Sequence, residues 1–214
     1  MNATSPVVFL IDDDPSILKA LTRLLGAEGF ETRPYSSAMN FLDEYNANLP
    51  GCIVMDLAMP GMTGLDLQSR LASSGHIRPI IFITGQGDVP SSVRAMKAGA
   101  VDFLTKPFDD HALLSAVRFA IEKDQAVRLK QAQRDRIEKS LASLTSRERE
   151  VFEHVTRGRL NKQIAGDLGI VEKTVKVHRG RIMKKMGVRT LAELVKLAER
   201  LDMLQSPEPI SGAK

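Results

Sequence analysis

Through the first 120 residues, short apolar runs alternate with stretches in which apolar residues recur every three or four positions. Val7 to Ile11 is apolar, and Ile17, Leu18, Leu21, Leu24 and Leu25 follow at helical spacing, with Asp14 placed to cap and Pro15 in the first turn. That pair predicts a strand running into a helix. The alternation returns with Thr32 to Tyr35 before a helix around Phe41 and Leu42, Cys52 to Asp56 before Leu65 to Leu71, Ile80 to Thr84 before Val93 to Ala98, and Asp102 to Thr105 before Leu113 to Ala120. Five βα units predict a parallel sheet covered on both faces. Ligands of such sheets gather outside the carboxyl ends of the strands, where the strand order reverses.

The pattern changes after residue 122. Residues 123–143 are dense in charged and amide side chains, lack Gly and Pro, and read as a helical linker with Asp124 and Arg128 at i,i+4 spacing. Val127, Leu129, Ile137 and Leu141 do not sustain a heptad, so a solvated connector is favoured over a dimerising helix. From Leu144 a four-helix domain is expected to residue 205. Ser146 or Thr145 caps its first helix, Val151, Phe152 and Val155 give the apolar stripe, and Gly158 ends it. Ile164, Ala165 and Leu168 mark a short second helix, Gly169 a turn, and Glu172 to Met186 a third. A short helix, a tight glycine turn and a longer basic helix form the helix-turn-helix pattern. The tail 206–214, rich in Pro and Gly, is expected to be disordered.

At about 100° per residue, Val175, Ile182 and Met186 of the third helix fall within about 40° of one another. Lys173, Lys176, Val177, Gly180, Arg181 and Lys184 share the opposite arc. A charged arc is usually a solvated face. Val177 and Gly180 within it offer an apolar contact and a point of close approach, which favours a groove-reading helix. His178 and Arg179 flank the buried stripe, His178 as a packing or phosphate contact rather than a metal ligand.

Charge sharpens the division. Residues 1–120 hold 9 Lys and Arg against 13 Asp and Glu, net −4, whereas residues 121–214 hold 21 against 13, net +8. The acidic half suits a cation or regulatory site and the basic half a polyanion. The single cysteine, Cys52, lies in an apolar strand and reads as core, which excludes a disulfide framework and a cysteine metal site. No apolar run reaches the roughly 18 to 20 residues of a membrane span, and no signal-like start is seen, so no membrane association and a cytoplasmic location are expected.

The polar residues of interest sit at strand ends. Asp12, Asp13 and Asp14 leave the first strand, Asp56 the third and Thr84 the fourth, and Lys106 follows the fifth. Clustered carboxylates repel unless a cation sits among them, and a hard, water-retaining Mg²⁺ fits better than a soft metal. The histidines, 76, 111, 154 and 178, show no ligand spacing with cysteine or acid. An Asp can act as a nucleophile toward phosphorus, with a cation and a lysine neutralising the transferring group.

The segments LIDDDP, IVMDLAMPGMTG, IIFITG and FLTKPF, in this order and spacing, resemble the receiver domain of bacterial two-component response regulators over residues 6–122. The resemblance implies a doubly wound, CheY-like α/β fold of five strands in the order 2-1-3-4-5, with residues 1–122 as the domain. It implies Asp56 as phosphoacceptor from a histidine kinase, Mg²⁺ held by Asp12, Asp13, Asp56 and the Ala58 backbone carbonyl, and Lys106 and the Thr84 hydroxyl on the phosphoryl group. Phe103 matches the aromatic that changes rotamer with Thr84. Ala58 stands where many receivers carry a bulky or polar residue, which puts the lifetime of the phosphoryl group in question.

The run from Leu144 to Val188 resembles the LuxR-type DNA-binding domain, above all at NKQIA and KTVKVHRGRIMKKMGV, and with the receiver places the chain in the NarL/FixJ family. This second resemblance implies base contacts from Lys176, Val177 and Gly180 and phosphate contacts from Lys173, Thr174, Arg181 and Lys184. Val171 replaces the usual polar residue before this helix, so a late or frayed start is expected. The implied partners are a cognate sensor kinase, double-stranded promoter DNA, a second copy of the chain on phosphorylation, and RNA polymerase. The expected dimer patch joins Thr84 and Phe103 with Val93, Met96 and Lys97. Two rivals fare worse. A phosphatase using an aspartyl phosphate needs a second acid where Ala58 stands, and a flavin-binding domain needs a Ser/Thr/Gly-rich loop where DDDP stands. A transcription regulator rather than an enzyme is the expectation.

Overall fold

The computed structural model describes residues 5–75, 78–85 and 89–205. His76 and the tail 206–214 lie outside them. The chain divides into two compact units, Met1–Arg128 and Leu129–Lys214.

In the first unit, β1 (Val7–Ile11), β2 (Glu31–Tyr35), β3 (Gly51–Asp56), β4 (Ile80–Thr84) and β5 (Asp102–Thr105) pair in parallel in the order β2-β1-β3-β4-β5. The three inner strands are buried along their whole length. Side chains alternate across a strand, so each feeds two cores. Val7, Phe9, Ile11, Ile53, Met55 and Phe82 pack with Phe41, Leu67, Leu71 and Ala95, from α2 (Ala38–Glu44), α3 (Gly64–Ser73) and α4 (Val89–Lys97). Val8, Leu10, Cys52, Val54, Ile81 and Ile83 pack with Leu18, Leu21 and Leu25 of α1 (Pro15–Ala27), and with Leu113 and Val117 of α5 (Asp110–Ala142). Cys52 is fully buried, which pushes its thiol up to about 12. It is an inert core residue.

Local signals start these helices. Asp14 accepts from Ser16 N at the head of α1, with Pro15 at the first position. Thr63 and Asp66 form a reciprocal capping box at α3. Gln68 of α3 is buried, and its amide donates to the carbonyls of Ala95 and Ala98 at 3.2 Å each, tying down the carboxyl end of α4. The 33-residue α5 continues without a break through the stretch read as a connector.

The second unit packs α6 (Ser146–Thr156), α7 (Asn161–Leu168), α8 (Glu172–Met186) and α9 (Leu191–Gln205) around Val151, Phe152, Val155, Ile164, Val175, Ile182, Met186 and Leu194. Ile137, near the end of α5, joins this core. Thr145 rather than Ser146 caps α6, in a capping box with Glu148. Gly169 and Gly187 adopt left-handed conformations, with φ of 63° and 67°, to close α7 and α8.

Glu148 also anchors the unit electrostatically. Its Oε2 accepts from Lys185 Nζ at 2.6 Å and from Thr145 N at 2.9 Å. The hydrogen bond from Lys185, then that from Thr145 N, holds its carboxyl at about 2, below the ordinary 4.5. A depressed value stabilises the fold fully above pH 4.5, and the contribution fades as pH falls from there through about 2. Glu148→Gln should flatten the acid limb of the stability curve of this unit, read by amide exchange on α6 and α8. A limb as steep as wild type would remove Glu148 as its cause.

Candidate phosphoacceptor site and nucleic-acid interface

The order β2-β1-β3 reverses chain direction across the sheet between β1 and β3, which opens a crevice at their carboxyl ends. Asp12 leaves β1 and Asp56 ends β3, 1% and 6% exposed. Lys106, just beyond β5, reaches across, its Nζ donating to Asp12 Oδ2 at 2.8 Å and to Asp56 Oδ1 at 2.9 Å. The remaining oxygens are also held. Asp14 N donates to Asp12 Oδ1 at 2.9 Å, and Ala58 N to Asp56 Oδ2 at 2.7 Å. Burial opposes the charge on Lys106, but its hydrogen bonds to Asp12 and Asp56 and their negative charges outweigh it, so its pKa is raised above 10.5. The site thus holds two fixed carboxylates around one ammonium.

The surroundings fix these groups in place. Lys106 N donates to Thr84 O at 2.7 Å, joining the exits of β4 and β5, and the Lys106–Pro107 peptide is cis. A Cβ on Gly64 would lie 2.5 Å from Asp56 O and 2.8 Å from the Phe82 ring, so the start of α3 closes directly on the acceptor. Thr84 is buried at the end of β4. Phe103 is half-buried, its ring centroid 6.3 Å from that of Phe82. Asp13 and Ala58 are exposed at the rim. Of the expected metal ligands, Asp12 and Asp56 are brought together by Lys106, and Asp13 follows Asp12 at the solvent-exposed end of β1. Among the described residues no three His, Cys, Asp or Glu side chains converge as a ready metal cage.

On α8, Val175, Ile182 and Met186 are buried, and Lys173, Lys176, Val177, Gly180, Arg181 and Lys184 are exposed. Thr174 is half-buried. A Cβ on Gly180 would meet nothing within 4 Å, so packing within the protein does not demand glycine there. The helix begins at Glu172 although Val171 makes no side-chain cap. Thr174 N and Val175 N instead bond the Val171 carbonyl at 2.9 and 3.3 Å. Arg179 bonds Asn161 of α7, and His178 is half-buried with an unpartnered Nδ1. Arg179 therefore serves the joint between α7 and α8 rather than the exposed arc.

A polar cluster that the sequence pattern did not reveal lies at the amino ends of β3 and β4, away from the crevice. Arg78, 5% exposed, stacks its guanidinium 4.8 Å from the centroid of Phe9 and donates to the Leu49 carbonyl at 2.7 Å. Arg128 donates to the same carbonyl at 2.7 Å. The available signal was the spacing of Asp124 and Arg128, which form an ion pair at 2.7 Å.

Residues 8–118 match the response regulator receiver domain, and residues 142–198 match the luxR family of bacterial regulatory proteins. The response regulator protein TmoT of Ectopseudomonas mendocina is 44% identical over 201 residues, 94% of this chain and 91% of that protein. The transcriptional regulatory protein FixJ of Bradyrhizobium diazoefficiens is 40% identical over 197 residues, 92% of this chain and 96% of that protein. A solved structure of the response regulator StyR, 46% identical, superposes with a TM-score of 0.87 over 92% of this chain and 99% of its own. A receiver crevice at one end of the sequence, a helix-turn-helix at the other, and relatives matched nearly end to end make this chain a two-component response regulator of the NarL/FixJ family.

Proposed function

We propose that a histidine kinase phosphorylates Asp56 and that the phosphoryl group promotes dimerisation and sequence-specific promoter binding in the cytoplasm. The observation that carries this reading is the Lys106 ammonium shared between Asp12 and Asp56 at the switch point. An Asp56 oxygen attacks phosphorus on a phosphohistidine. The P–O bond forms as the P–N bond breaks, and the imidazole leaves with the electron pair. Lys106 then offsets the added charge, and the Thr84 hydroxyl donates to the phosphoryl group while Phe103 changes rotamer with it.

The donors Asp12, Asp13, Asp56 and the Ala58 carbonyl are all hard oxygens, which suits Mg²⁺, a hard cation that takes oxygen ligands and keeps several waters. When bound, the cation neutralises charge on the transferring group. Of the acidic pair, exposed Asp13 would be the more direct ligand and Asp12 would support it.

Output lies on α8. Lys176, Val177 and Gly180 read base edges, and Lys173, Thr174, Arg181 and Lys184 hold phosphates. On α4, Val93 and Met96 are 45% and 46% exposed beside Lys97, an apolar and basic patch suited to a second copy once Thr84 and Phe103 shift. RNA polymerase is the further partner at the promoter. Moving a two-state equilibrium from 1:99 to 99:1 needs about 5.5 kcal/mol of differential stabilisation, so a partial shift to dimer is expected. Sedimentation at matched concentrations, with and without a phosphodonor, reads it, and an unchanged distribution would count against the dimer. Footprinting of the region upstream of its own operon under the same two conditions tests the whole reading.

A further inference from the structure

We propose that Asp124 and Arg128 are positioning residues for output: they fasten the helix leaving the receiver to the loop between α2 and β3, and so keep the connecting stretch helical. The effect on output rests on the phosphorylation-controlled binding proposed above, whereas the effect on the helix does not.

The fastening is dense and one-sided. Asp124, 3% exposed, accepts from Gly51 N at 2.8 Å and from Arg128 Nε at 2.7 Å through the same oxygen. The fork of Arg128 donates to the carbonyls of Ala47, Asn48 and Leu49 at 2.9, 3.1 and 2.7 Å. From the other side Arg78 takes Leu49 O at 2.7 Å and Tyr45 Oη at 3.1 Å. The loop is itself fixed, because Gly51 has φ of 136° and a Cβ there would lie 1.8 Å from Val7 O. A planar guanidinium with five donors can hold a carboxylate and three carbonyls at once, which an ammonium cannot.

The need for such an anchor lies just beyond it. Residues 129–136 are exposed apart from half-buried Arg134, and Ile137 is the next buried side chain. Within this stretch only the pairs Gln131–Asp135 and Arg134–Glu138 support the helix. So short an unpacked helix is not stable in water and must be held from its ends. A stiff connector, unlike a flexible one, restricts where a tethered DNA-binding unit can reach.

The test uses the full chain and reads two quantities: amide exchange over residues 125–136, and the gain in affinity for a two-half-site duplex when a phosphodonor is added. Arg128→Gln and Asp124→Asn should still be labelled at Asp56 and should bind a single half-site as wild type does. Exchange in the connector should rise about tenfold or more, and the affinity gain should fall about tenfold. Ala132→Gly, an exposed change far from the loop, should reproduce both effects, and Arg128→Lys should not restore them. Unchanged exchange in both anchor variants overturns the inference. So does loss of Asp56 labelling, which would show a role in receiver folding instead. An absent affinity gain in wild type would defeat the proposed function, with the exchange result still deciding whether the anchor exists.

Discussion

Asp56→Asn is expected to take no stable label from a small phosphodonor with Mg²⁺, while wild type is labelled and releases the group to hydroxylamine. The substitution suits the test because it spares the geometry. An asparagine oxygen can still accept from Lys106 Nζ or Ala58 N, which now meet the two carboxylate oxygens at 2.9 and 2.7 Å. The charge and the nucleophile are lost, and the fold around them is kept. No other acid stands at the end of β3. Labelling of the variant equal to wild type would sink the assignment, and would send the search to exposed Asp13 or Asp14.

The second large effect concerns α8. If Lys173, Arg181 and Lys184 each neutralise one phosphate, log affinity falls with log salt at about −0.9 per contact, or about fortyfold per subunit between 50 and 200 mM. Lys184→Ala should make that slope shallower by about one unit. Val177→Thr should alter sequence preference with little change in slope, because it replaces an apolar surface without deleting charge. Gly180 adds a cleaner probe. Its Cβ position is open, so Gly180→Ala places a methyl group where only the nucleic acid can meet it. Two half-sites about one helical turn apart, or a multiple of it, would suit a dimer and give an inverted repeat. If wild type, Lys184→Ala and Val177→Thr bind specific and scrambled duplexes alike at every salt concentration, the arc is a solvated face.

What could be read from the sequence followed how local its cause was. β1, β3 and β4 are buried on both faces, so their apolar runs are continuous and their ends carry the functional residues. Asp12, Asp56 and Lys106 could be placed together because the strand order brings those ends to one crevice. β2 is an edge strand, ETRPY, largely exposed with Pro34 in it, and its first residue, Glu31, carried no signal. α8 starts at Glu172, where the apolar and basic pattern put it, and the late start inferred from Val171 is not seen, because the Val171 carbonyl takes the Thr174 and Val175 amides without a side-chain cap. For Arg128 the spacing showed only Asp124. Its other partners lie about 80 residues away and are backbone carbonyls, which no side-chain pattern records.

The two bonds from the Gln68 amide to Ala95 O and Ala98 O give α4 a lever's geometry. A tilt of the helix that keeps them pivots about its carboxyl end. Over the nine residues of α4, at about 1.5 Å per residue, a tilt of about 10° carries its first turn about 2 Å and its last turn almost nowhere. The amplitude is therefore greatest toward Val89, the end that follows β4 and Thr84 in the chain. Shortening Gln68 to Ala would remove these two bonds and leave the carboxyl end of α4 held by the packing of Ala95.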